Sequence, residues 1–77
     1  MPKILDNGKF RVYICANEDN PHHLPHCHIY SDGNDHASVV SLPDLGLIAG
    51  EALPRAGRRL LQANVDVLMA AWRRLNP

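Results

Sequence analysis

From Lys9 to Ala16 polar and apolar side chains alternate, with Phe10, Val12 and Ile14 on one face and Arg11, Tyr13 and Cys15 on the other. A period of two, carried by aromatic and β-branched residues, predicts a strand with one buried face. Asp6-Asn7-Gly8 precedes it as a turn signal, because Asn-Gly favours positive φ. Met1 to Leu5 reads as a short edge strand or arm. A second alternation runs from His26 to Ser31 and sets His26, His28 and Tyr30 against Cys27 and Ile29. Between the two, Asn17 to Pro25 holds Pro21, Pro25 and Glu18-Asp19-Asn20, which exclude a regular strand and predict a loop that delivers histidines. Ser31 to Asp35 is a hairpin turn, His36 to Leu42 a third strand, and Pro43-Asp44-Leu45-Gly46 another turn. Leu47-Ile48-Ala49 is a very short fourth strand ending at Gly50.

Past Gly50 the period changes. Leu61, Val65, Leu68, Trp72 and Leu75 recur at helical spacing and form one apolar stripe, with Arg55, Arg59, Gln62, Asp66 and Arg73 largely opposite. Pro54 suits the first helical turn, where its missing N–H costs nothing. Arg73 and Arg74 complement the helix dipole in the last turn. Ala63, Val67 and Met69 widen the apolar face, enough to complete a core or form a subunit contact. The expectation is an α+β domain: a three- to four-stranded antiparallel sheet packed against one C-terminal α-helix.

Seventy-seven residues make a single domain, 1–77, and a small one. Below roughly 80 residues one core supplies only about 3–5 kcal/mol, so a metal, a disulfide or a partner subunit is a common second source of stability. No apolar stretch approaches the roughly 20 residues of a membrane span, and no apolar core follows Met1-Pro2-Lys3, so a cytoplasmic location is expected. Two cysteines, Cys15 and Cys27, do not make a secreted disulfide framework and read as small buried side chains. Net charge is zero, yet Arg55, Arg58, Arg59, Arg73 and Arg74 face only Asp66 beyond residue 51. Arg55, Arg58 and Arg59 are therefore candidates for binding a partner or nucleic acid, against the simpler reading of a solvated helix face.

Taken in order, these features resemble the domain-of-unknown-function 4160 family of small prokaryotic proteins. The matching residues are Met1-Pro2-Lys3-Ile4, then Phe10, Val12 and Ile14, then Glu18-Asp19-Asn20-Pro21 leading to Pro25-His26-Cys27-His28-Ile29. Leu53-Pro54-Arg55 opens the helix and Leu68-Met69-Ala70-Ala71-Trp72 closes it. Two positions depart from the family's pattern: Leu24 replaces a proline before Pro25, and Asn64 stands where many relatives carry a helix histidine. The resemblance implies a fold and no established activity. It also implies a neighbouring gene for a small protein of the domain-of-unknown-function 2442 type, an arrangement similar to toxin–antitoxin pairs.

Four histidines fall within seven residues: His22, His23, His26 and His28. On a strand His26 and His28 share a face about 6.5–7 Å apart, close enough to share an ion if their rings converge. His22, His23 or Glu18 would supply a third ligand, leaving an open position suited to zinc or manganese. Cys27 points the other way. His26 and His28 are also the candidate catalytic residues of a metal- or histidine-dependent nuclease or phosphoesterase, with Tyr13, Tyr30 and an arginine to bind phosphate. The alternative is structural: His26 bonds loop carbonyls, His28 pairs with Glu18 or Asp19, and His22 and His23 are solvated. No Gly-rich phosphate loop, nucleophile elbow or full metal motif is present. The expectation is therefore a protein-interaction module of a two-gene pair, using the arginine helix or a sheet edge, with the enzyme as the alternative. A homodimer is compatible with both.

Overall fold

The computed structural model describes residues 2–15 and 24–77. Five strands are followed by two helices: β1 (Lys3–Asp6), β2 (Phe10–Tyr13), β3 (His26–Ser31), β4 (Ala37–Ser41), β5 (Leu47–Gly50), α1 (Arg55–Ala63) and α2 (Val65–Leu75). The strands form one antiparallel meander in sequence order, with β1 and β5 at the edges. The α+β class and the antiparallel sheet are as expected, but two counts differ. The sheet has five strands because both short end segments pair: the residues before Asn7 add to β2, and Leu47–Gly50 adds to β4. The C-terminal helix is two helices, broken at Asn64.

The break has a local cause. The Asn64 side-chain Nδ2 donates to the Leu60 carbonyl at 2.8 Å, the oxygen its own backbone N–H would take in a continuous α-helix. That backbone N–H goes instead to the Leu61 carbonyl at 3.0 Å. Asn64 leaves helical geometry (φ −128, ψ 19), and its carbonyl accepts from Leu68 to start α2. Pro54 precedes the first turn of α1 as its N-cap.

The alternation on the central strands is realised. Phe10, Val12, Ile14, Cys27, Ile29, Ser38 and Val40 are buried, while Arg11, Tyr13, Cys15, His26, His28, Tyr30 and Val39 are half-buried. The helices complete the core with Leu61, Leu68, Ala71 and Trp72, and Val65 and Leu75 of the same stripe pack against it. Each fully buried aliphatic side chain contributes about 1.5–3 kcal/mol. Ser38, the one polar residue buried with them among the described residues, is satisfied: its hydroxyl donates to the Glu51 carbonyl at 2.6 Å. Gly57 on α1 lets the helix approach closely, with side-chain atoms of Leu53, Phe10 and Ile29 at 3.0, 3.2 and 3.4 Å from the place a Cβ would occupy. Among the described residues no helix is long and apolar enough to cross a membrane.

Candidate metal centre

The β2–β3 register decides which side chains meet on the face away from the buried core residues. Arg11 pairs with Tyr30 and Tyr13 with His28. Continued by two residues, the same register sets Cys15 opposite His26. Strand parity turns all six to one face.

At the Cys15 end of that face, three ligand-type atoms converge. The Cys15 Sγ lies 3.5 Å from His28 Nε2. The His26 and His28 rings are 5.3 Å apart between centroids. One ligand atom from each of Cys15, His26 and His28 lies within 4.8 Å of the others. Bond lengths of about 2.3 Å to sulfur and 2.0 Å to nitrogen put tetrahedral S and N ligands roughly 3.6 Å apart, so the Cys15–His28 spacing already fits one ion. The group could hold a metal.

The surroundings orient the ligands. His26 Nδ1 lies 2.9 Å from the Leu24 carbonyl, a position from which it donates and leaves Nε2 bare. That tautomer, with its bond to a backbone carbonyl, is what a metal-bound imidazole ordinarily has. The Trp72 ring packs against His26 at 5.3 Å. Asn76, just past α2, donates from Nδ2 to the Cys15 carbonyl at 3.1 Å and so ties the helix end to the site. Burial lowers the pKa of the His28 imidazole, and the neighbouring His26 lowers it further. Both effects favour the neutral ring, the form that binds metal. Cys27 lies on the other face, where burial pushes its thiol up to about 12. It is a core residue, as expected.

Of the sequence-derived candidates, His26 and His28 are brought together. His22, His23 and Glu18 lie outside the described residues. The third member, Cys15, lies outside the loop and strand that supply the candidates Glu18, His22, His23, His26 and His28; its parity with Arg11 and Tyr13 is the available signal. Cys15 is half-buried, not buried as expected. On α1, Arg55 and Arg59 are exposed, whereas Arg58 is half-buried and donates to the Leu45 carbonyl at 3.1 Å. Asn64 is engaged with Leu60.

No curated protein and no solved structure matches the chain. A family model does, over residues 10–73, a span that takes in β2, the three converging side chains and nearly all of α2. The chain therefore belongs to the family described as a domain of unknown function, DUF4160.

Proposed function

We propose that this chain is a divalent-metal-binding protein that holds a zinc ion through Cys15, His26 and His28 with one coordination position open. The observation that carries this reading is the convergence of one thiol and two imidazoles within 4.8 Å, supported by the Leu24 carbonyl behind His26. A thiolate in the ligand set selects zinc over manganese, which prefers oxygen donors. An open position is what a zinc site needs to bind and acidify water, so the centre is compatible with hydrolysis of an ester or phosphate ester.

The test is titration of untagged protein with zinc and with cobalt. Zinc should shift the His26 and His28 ring signals saturably at micromolar concentration, and cobalt should give a thiolate charge-transfer band. Cys15→Ser, His26→Ala and His28→Ala should each weaken binding by more than the roughly 10–100-fold that loss of a supporting partner costs. Zinc binding that survives Cys15→Ser unchanged would sink the assignment.

A second reading, the interaction module of a two-gene pair, rests on a different observation. At edge strand β5, Leu47 and Ile48 are about half exposed. Leu47-Ile48-Ala49-Gly50 carries neither charge nor proline, the usual guards of an edge. A neighbour-encoded small protein would add to this edge. Copurification from co-expressed genes should be lost with Ile48→Lys while the melting temperature is retained. Failure of the wild-type pair to copurify would remove this reading.

A further inference from the structure

At the far end of the open face from the candidate metal centre, Arg11, Tyr13, Tyr30, Asn34 and Asp35 line a cleft of about 210 Å³. That is below the roughly 300–1,000 Å³ of pockets for drug-sized ligands, so the occupant is about one ring system in size. The walls are flat and partly fixed. Tyr13 meets Tyr30 edge to face at 5.6 Å. The Arg11 guanidinium lies 5.6 Å from the Tyr30 ring centroid, and a guanidinium plane is itself a stacking surface.

The polar groups narrow the ligand. Asn34 Oδ1 accepts the His36 backbone N–H at 2.9 Å, which leaves the amide N–H₂ as its donor. Asp35 offers only acceptors when ionised. A planar ring that answers both needs two adjacent N–H donors for the carboxylate and a carbonyl oxygen beside them for the amide. The N1–H, N2–H₂ and O6 edge of guanine has that order; adenine, with a single exocyclic donor and ring acceptors, does not. A second feature bears on the rest of the ligand. Asp32 and Asp35 line the adjoining groove with Arg11 and with Asp6, whose carboxylate is paired with Lys3 at 2.9 Å, so the groove has no surplus of cations to track a polyphosphate backbone. Such a lining suits a base and not its phosphates.

We propose that the Arg11–Tyr13–Tyr30–Asn34–Asp35 cleft binds a guanine ring, as a free nucleoside or as a single unstacked base of RNA. This assignment does not depend on the metal site. The test is guanosine, and separately a uridine-rich hexamer with or without one guanine, titrated into the full chain in EDTA and followed by NMR.

Saturable shifts confined to the cleft residues are expected with guanosine or with the guanine-containing hexamer, and which of the two binds more tightly identifies the source. Adenosine should bind at least about tenfold more weakly. Asp35→Asn should remove that preference, since a bidentate pair discriminates by about 1–3 kcal/mol. Tyr30→Leu should weaken binding while leaving zinc titration unchanged. No shift at millimolar guanosine and with either hexamer would overturn the proposal. So would shifts equal for guanosine and adenosine and indifferent to Asp35→Asn.

Discussion

Cys15 and Cys27 sit on neighbouring strands with opposite parity, and parity gives them different chemistry. Cys27 is fully buried, and a thiol pushed up to about 12 is ionised to only about one part in ten thousand at pH 8. Cys15 is half-buried, beside His28. With iodoacetamide at pH 8 and no denaturant, Cys15 should be alkylated and Cys27 should resist until the chain unfolds; zinc should slow the Cys15 reaction. Equal labelling rates at the two positions, read by peptide mass, would contradict the parity argument. This parity was legible from the alternation of Phe10 to Cys15 and of His26 to Ser31. What was not legible was which residue of the first strand faces His26. That depends on the β2–β3 register, which is set across a connection far longer than a tight turn, and turn chemistry cannot fix it. Ligands read from the loop and strand between Asn17 and Ser31 alone therefore leave out Cys15.

The elements show the same division between local and non-local information. The strand His26–Ser31 has the bounds its alternation gave, and the short Leu47–Ala49 segment is a strand extended by Gly50. The helix break was hidden because the stripe Leu61, Val65, Leu68, Trp72 and Leu75 runs through Asn64 without losing phase. Only the competition of the Asn64 amide for the Leu60 carbonyl reveals it. At the end of β5, Gly50 has φ +86, and a Cβ there would collide with the Ala37 carbonyl oxygen, the atom that accepts the Glu51 N–H. Gly8 has nearly the same φ, +87, with open space around it. The pair separates backbone strain from collision. Gly8→Ala should cost about 1–2 kcal/mol, the penalty for left-handed geometry alone. Gly50→Ala should cost more, about 3 kcal/mol or above, because β5 must also shift on β4. Urea unfolding of the two variants measures the difference; equal losses would mean that β5 yields without cost.

For the whole molecule, the site and the fold are linked through α2, which contributes Trp72 against His26 and is followed by Asn76 on the Cys15 carbonyl. Zinc that binds only the folded chain should then stabilise all of it, by about 2.7 kcal/mol at a free concentration of 100 Kd. For a chain of this size that is a rise in melting temperature of roughly 10–20 °C. Protons should act in the opposite direction. The ring of His28 meets the Cys15 Sγ at 3.5 Å and the His26 ring at 5.3 Å, and its register partners are Tyr13 of β2 and Val39 of β4. Among these described neighbours none is a carboxylate that would favour the imidazolium, and burial, with His26 beside it, holds the folded pKa below the usual histidine value of about 6.5. The unfolded chain therefore takes up this proton first. As pH falls through 6.5 the unfolded state gains, and the loss of stability is complete once pH is below the lowered folded value. Above pH 7.5 both states are neutral at this ring and it contributes no slope. Melting temperatures in EDTA should thus fall between pH 7 and 5, His28→Asn should flatten part of that fall, and saturating zinc should steepen it because the ion excludes the same proton. A wild-type profile in EDTA that is level across this range would mean that the ring is solvated in the folded state and the site is more open than its geometry indicates.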